Sequence, residues 1–440
     1  MQFGRQSPPS ALPAVTSFDG FPVLGVCFLP FTATRKVVSS KASALDVACT
    51  MLDKFLSLSA YNRSISRRES LVALLWGAAG FPACARTKPH ENSSTMPAVA
   101  FDSANAIERL APLAFPYETR DPFLFCVHHD DLYPAGNAEL GPKASLGGRN
   151  LGQDFTLKDG FRMYHGTKVP GFPCHPHRGF ETVTWVRNGY VDHSDSMGAA
   201  GRYGQGDVQW MTAGRGVQHS EMFPLLDSVN ANRTELFQIW LNLPARSKMV
   251  APHFKMLWSE QVPRKTIRDV QGRGTVITVV AGNFAGLQPP VPPPDSWASV
   301  ANSDVAILTL HMAPNATFSL PPAKPGTNRT LYFFSGSTLW IGSHAIRPSQ
   351  LIEVKPDVPL SLRAGNDPVE LLLLQGKPIG EPVVQHGPFV MNSREEIVQT
   401  IHEYQQTEFG GWPWSSADNV HSPKRSRFAR YANGTEEAPT

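Results

Sequence analysis

Two residue pairs at a spacing of two constrain this chain more than any other feature: His175-Pro176-His177 and, further on, His219-Ser220-Glu221. On an extended strand, residues i and i+2 point to the same face, so each pair converges if its segment is a strand. The flanks agree, since both pairs lie among runs rich in Thr, Val and Trp with turn glycines between them. Three imidazoles and one carboxylate make a mixed nitrogen and oxygen donor set suited to a divalent first-row metal. A lone H-x-H is more often two solvated or core histidines than a ligand pair. A second pair in the same strand context turns the reading towards a shared metal inside a β-barrel.

The rest of the chain suits that architecture. Its 440 residues allow two domains with an appendage. The 39 prolines and 35 glycines fit many short strands and turns better than long helices. A formal net charge of +3 gives no case for direct nucleic-acid binding or for an acidic membrane surface. Cys27, Cys49, Cys84, Cys126 and Cys174 are odd in number and scattered, a pattern of reduced thiols rather than of a disulfide framework.

Four regions are expected. Residues 1–95 read as a poorly ordered extension, poor in acidic residues and rich in Ser and Arg. An organelle-targeting leader, a displaced signal-like core at Leu71 to Phe81, and an artefact upstream of a folded part starting at Met96 all remain open for it. Residues 96–240 form a first barrel carrying the metal site, and residues 241–391 a second barrel, which has no H-x-H and should hold no metal. Residues 392–440 supply a helix and a tail. Ser393-Arg-Glu-Glu396 has the form of a capping box, and Ile397, Val398, Ile401 and Tyr404 follow near helical period. The basic run Lys424 to Arg430 reads as a solvated tail, with nuclear import as the rival reading. Within the first barrel, Asn188-Gly189 predicts a hairpin turn. His128-His129-Asp130-Asp131 reads as a polar surface or loop cluster, and Leu146 to Gly152 as loop.

Longer motifs then point to a family. Arg120 to Phe123, Arg162 to Gly166, His175 to Thr184, Gly206 to Gly216, His219 to Met222, Leu236 to Pro244 and Gly387 to Asn392 resemble, in order, the pirins. Pirins are two-barrel members of the cupin superfamily. The resemblance runs from about residue 105 to about residue 430 and excludes the leader. It implies an all-β bicupin of two antiparallel barrels with a C-terminal helix. It also implies one Fe(II) per chain in the N-terminal barrel, held by His175, His177, His219 and Glu221. Cupins in general draw their glutamate from the first motif, which here would be Glu181. By spacing, Glu181 lies four residues after His177 and could reach the same face of a strand; the resemblance favours Glu221 and leaves Glu181 as a carboxylate that supports the ligands or the structure. Cys174, where the family pattern suggests a polar residue, departs from it and reads as a small loop residue rather than a redox-sensitive thiol.

Some pirins are flavonol dioxygenases, so the resemblance implies a flavonol such as quercetin and O2 as substrates. Glu221 would take the proton of the 3-hydroxyl, and ring cleavage with loss of carbon monoxide would follow. Phe180, Trp185, Trp210 and Met211 are candidates for an apolar pocket lining, with core packing as their simpler explanation. Other pirins are nuclear iron proteins that bind transcription factors, and the same ligands serve that reading. The expected location is cytoplasmic, nuclear or both, with organelle targeting by the leader as the alternative and no membrane association.

Overall fold

The computed structural model describes residues 103–440, so the expectations placed on the leader fall outside the described residues. The first part contains β1 (Ile107–Pro112), β2 (Phe123–Tyr133), β3 (Gly171–His177), β4 (Phe180–Asn188) and β5 (Tyr190–Asp195). It continues through β6 (Ala200–Gly204), β7 (Val208–Thr212), β8 (Val217–Met222), β9 (Asn232–Asn242) and β10 (His253–Leu257). Two antiparallel sheets build the site barrel. One runs β10-β7-β4-β9-β2, and the other joins β6, β5, β8 and β3 in that order. A second barrel follows, made of a seven-stranded and a four-stranded sheet. These are the two antiparallel barrels expected for an all-β chain. Among the described residues, no helix is long and apolar enough to cross a membrane.

The barrels exchange strands. β1 pairs with Gln350–Val354 in the second barrel, while β10 pairs with β7 in the first. A cut at residue 240 would therefore take an edge strand from the site barrel. The contact between barrels is apolar: Val183, Trp185, Trp210 and Ile239 meet Ile307, Tyr332, Leu372 and Leu374 in one buried cluster. Trp185 and Trp210 thus belong to the barrel–barrel core. Phe180 packs with Trp240 and Val390, and Met211 with Ala213 and Val217. None of these four candidates lines the cavity described below. Strand parity explains Trp185, because the odd-numbered Val183 and Trp185 of β4 face the other barrel.

Asn188-Gly189 is a corner and not a hairpin. β4 pairs with β7 and β9, whereas β5 pairs with β6 and β8 in the other sheet. Gly189 has φ 77°, and a Cβ there would meet the Thr234 hydroxyl at 2.7 Å. Glycine lets the chain switch sheets at that point.

The expected helix is α1 (Arg394–Thr407), with the Ser393–Glu396 capping box formed. Ile397, Thr400 and Tyr404 are buried, while Val398 is exposed because it lies off the face that these residues share. This helix docks on the site barrel. Tyr404 donates to Gln218 Oε1 at 3.0 Å, and Arg178 donates to Thr400 Oγ1 at 3.3 Å and pairs with Glu403.

The basic tail is not a solvated run. Phe428–Arg430 pairs with β6 as an added strand. Arg427 bonds Asp207 at 2.8 Å and Glu260 at 2.6 Å, and Arg425 bonds Glu436 at 2.6 Å. Much of its charge is already neutralised within the fold.

Candidate metal centre

The two sequence pairs lie on neighbouring antiparallel strands. His175 and His177 sit on β3 and His219 and Glu221 on β8, with His175 directly opposite His219. Ring centroids lie 4.5 Å apart for His175–His219 and 4.8 Å apart for both His175–His177 and His177–His219. All three rings are buried, and one nitrogen from each falls within 4.8 Å of the others.

Their chemistry fits a metal. Burial, with added repulsion between neighbouring imidazoles, drives the pKa of His177 and His219 well below the usual value, and that of His175 to about 4. Neutral imidazoles with free lone pairs are the form a cation needs. His177 Nδ1 and both ring nitrogens of His219 are buried and make no hydrogen bond. Polar atoms left in that state are costly, and a ligand ion would relieve the cost. His175 Nδ1 donates to the Pro173 carbonyl at 2.8 Å, which leaves Nε2 as the lone-pair nitrogen.

Glu221 adjoins the cluster but stands slightly apart from it. Its Oε2 is 3.8 Å from His219 Nε2. Thr184 donates to Oε1 at 2.8 Å and Tyr203 at 3.4 Å, while Gln238 Nε2 donates to Oε2 at 2.6 Å. Burial raises its pKa, and the Thr184 bond, His193, Gln238 and Tyr203 partly offset that rise. The close histidine set is therefore three residues, with an oriented carboxylate beside it.

Glu181 is elsewhere, which corrects the expectation of a place beside the ligands and leaves it the structural role. Thr212 donates to its Oε1 at 2.7 Å and Ser296, from beyond the site barrel, to its Oε2 at 2.5 Å. The count of four residues from His177 fails because β3 ends at His177 and Gly179 turns the chain at φ 85° before β4 begins. Burial raises the Glu181 pKa to about 7. The folded state then holds a proton that the unfolded chain releases above its usual carboxyl range. This contribution to stability is complete below about pH 4.5 and lost as pH rises through about 7, a change of about 3 kcal/mol. Glu181→Gln should flatten that loss, measured as denaturation midpoints at pH 5 and pH 7. An unchanged pH slope would mean that Glu181 is ionised in the fold.

A cavity of about 720 Å³ opens onto the cluster, and His175, His177, Gln238 and Trp240 form part of its wall. Phe115, Phe125, Phe155 and Phe172 supply aromatic surface, and Gly148, Arg149 and Asn150 of the predicted Leu146–Gly152 loop also line it. His219 and Glu221 are not in the wall; on the Glu221 side it is Gln238 that faces the cavity.

Several residues to which the sequence assigns no role at the site support it. Thr184, Tyr203 and Gln238 orient Glu221, and period two along β4 and β9 is the signal that could have found Thr184 and Gln238. His193 lies beside the cluster with its ring centroid 5.6 Å from that of His219. Both its nitrogens are engaged, with Gln209 at 2.9 Å and Asp195 at 3.3 Å, so it supports the site and offers no further lone pair. The adjacent His128 and His129 are on β2 and not in a loop. His128 stacks on Phe237 and bonds Glu235 at 3.1 Å, whereas His129 faces the cavity. Cys174 is a buried strand residue whose thiol approaches Gln218 Oε1 at 3.4 Å, and burial pushes its pKa to about 12. That is the opposite of a reactive thiolate.

The chain is similar to known proteins. Residues 117–241 match the family described as Pirin, and residues 307–410 match the Pirin C-terminal cupin domain. A Pseudomonas aeruginosa protein named "Putative quercetin 2,3-dioxygenase PA2418" is 38% identical over 240 residues, covering 54% of this chain and 79% of that protein. Pirin of Mus musculus is 35% identical over 257 residues, covering 57% of this chain and 81% of its own length. The crystal structure of quercetin 2,3-dioxygenase from Acinetobacter baumannii shares the fold, with TM-score 0.53 and 22% identity over 70% of this chain and 98% of that one.

Proposed function

The chain belongs to the pirin family, and from that premise we propose that it holds one Fe(II) in its first barrel and oxygenates flavonols such as quercetin. The observation that carries this reading is the aromatic cavity of about 720 Å³ with His175 and His177 in its wall. That volume lies within the range of about 300–1,000 Å³ usual for small-molecule sites.

His175, His177, His219 and Glu221 would hold the metal. Bound Fe(II) would supply a Lewis-acid anchor for an ionised hydroxyl and a redox partner for O2. The remaining work falls to the chain. Glu221 is the acceptor for the flavonol 3-hydroxyl proton, at Oε2. Gln238 covers that oxygen at 2.6 Å, so the transfer requires the amide to release it first. Thr184 and Tyr203 hold Oε1 and keep the carboxylate aimed while Oε2 takes the proton. Phe172 and Trp240 flank the histidines and exclude water from the reacting edge.

Glu221→Gln preserves shape but removes both the base and a charged ligand, so it is compared with the wild type at matched iron content. Quercetin-dependent oxygen uptake should fall about 10²- to 10⁴-fold, the usual contribution of a positioned base. Turnover within a few-fold of the wild type would remove Glu221 from that role.

The alternative, a redox-sensitive iron co-regulator of transcription without turnover, uses the same four residues. The deep aromatic cavity favours the enzyme, since a metal acting only on an outer binding surface needs no chamber for a three-ring substrate.

A further inference from the structure

Another part of the cavity wall carries a polar chain that the proposed chemistry leaves unused. His129, 3% exposed, lines the cavity. Its Nδ1 lies 2.7 Å from the Tyr164 hydroxyl, which in turn lies 2.5 Å from Asp131 Oδ2. Arg162 donates to the other oxygen of Asp131 at 3.1 Å. Phe172 neighbours both this chain and the metal cluster, with its ring centroid 5.9 Å from that of His129 and 6.4 Å from that of His175.

The direction of these bonds follows from the donors. Arg162 pairs with Asp131 through Oδ1 and favours the ionised carboxylate, so the Tyr164 hydroxyl donates to Oδ2. The Tyr164 oxygen then accepts from His129 Nδ1–H. That fixes the tautomer and leaves Nε2 as a bare acceptor. Burial and the Arg162 charge keep the ring neutral, with its pKa lowered to about 3. A neutral imidazole locked in this way accepts a hydrogen bond from a ligand O–H and offers nothing to a carbonyl or an ether oxygen.

We infer that His129 is a specificity-determining residue that accepts a hydrogen bond from a ligand hydroxyl remote from the metal-binding edge. The inference rests on the flavonol reading and narrows it to polyhydroxylated flavonols. Phe172 and the neighbouring aromatics would hold the rings, while Tyr164, Asp131 and Arg162 position His129 and do not touch the ligand.

The test is anaerobic titration of the iron-loaded full chain with quercetin and with 3-hydroxyflavone, which keeps the 3-hydroxyl and 4-carbonyl but lacks every other hydroxyl. Wild type should bind quercetin about tenfold tighter, the weight of one good hydrogen bond. His129→Phe should close that gap by weakening quercetin alone, and His129→Gln, which keeps an acceptor, should restore part of it. Tyr164→Phe frees the tautomer without touching the cavity acceptor and should narrow the gap, which keeps the inference testable if His129→Phe does not fold. Equal affinities in wild type, an undiminished gap in His129→Phe or in Tyr164→Phe, or no binding of either probe would overturn it. Oxygen uptake in the same samples separates the two readings. A hydroxyl preference lost in His129→Phe, with no turnover by wild type, would uphold the role of His129 and reject the dioxygenase.

Discussion

Replacing His177 by alanine is expected to leave the purified protein without stoichiometric iron, with affinity lowered at least about 100-fold. His177 is one corner of the buried imidazole triangle, and its neighbours His175 and His219 cannot move to compensate. They are fixed opposite one another on paired strands, and the remaining pair plus Glu221 offers too few donors in one place. The loss should show in two independent ways. Metal analysis should find far less than one iron per chain. Thermal unfolding, which in wild type should rise with added Fe(II) by about 2.7 kcal/mol of stability at a hundredfold excess over Kd, should not respond in the variant. The metal-free forms of the two proteins should be similar in stability, because alanine also removes a buried nitrogen with no partner. Full iron content in His177→Ala would reject the ligand assignment.

Arg202→Ala should strongly destabilise the fold. Arg202 and Asp192 are both fully buried, joined by two bonds of 2.7 Å between β6 and β5. The guanidinium also donates to the carbonyls of His421, Ser422 and Arg425 at 2.7–2.9 Å. Truncation would leave a buried carboxylate without its counter-charge and three carbonyls without a donor. The expected cost is about 3–5 kcal/mol, read from denaturation midpoints. Because those carbonyls belong to the tail, the segment around His421–Arg425 should also become sensitive to protease before the barrel unfolds. A loss below about 1 kcal/mol would mean that the pair behaves like an exposed surface bridge.

Period two exposes most of the candidate site, because strands put alternate residues on one face whatever surrounds them. It is enough to bring His175, His177 and His219 together, and it applies equally to Thr184 and Gln238, which lie within the longer motifs but have no ligand chemistry to single them out. The same count fails for Glu181, since the turn at Gly179 resets which face a residue occupies. Adjacent polar residues mislead for a related reason. His128 and His129 look like loop residues as a pair, yet on β2 each finds a separate buried partner, Glu235 on one face and Tyr164 on the other. The docking of the tail is invisible in the sequence because its partners, Asp207, Glu260 and the Arg202 side chain, lie more than 150 residues away along the chain. Local composition carries no record of such contacts. The two-barrel architecture is legible; the strand exchange between barrels is not, since β1 and β10 look like any other short strand.

The most direct measurement is oxygen uptake, with carbon monoxide release followed in the same vessel, by anaerobically iron-loaded protein given quercetin. A flavonol dioxygenase should show one iron per chain, uptake that depends on quercetin, and carbon monoxide in proportion to the oxygen consumed. One iron per chain with no quercetin-dependent uptake would contradict that function and favour the co-regulator.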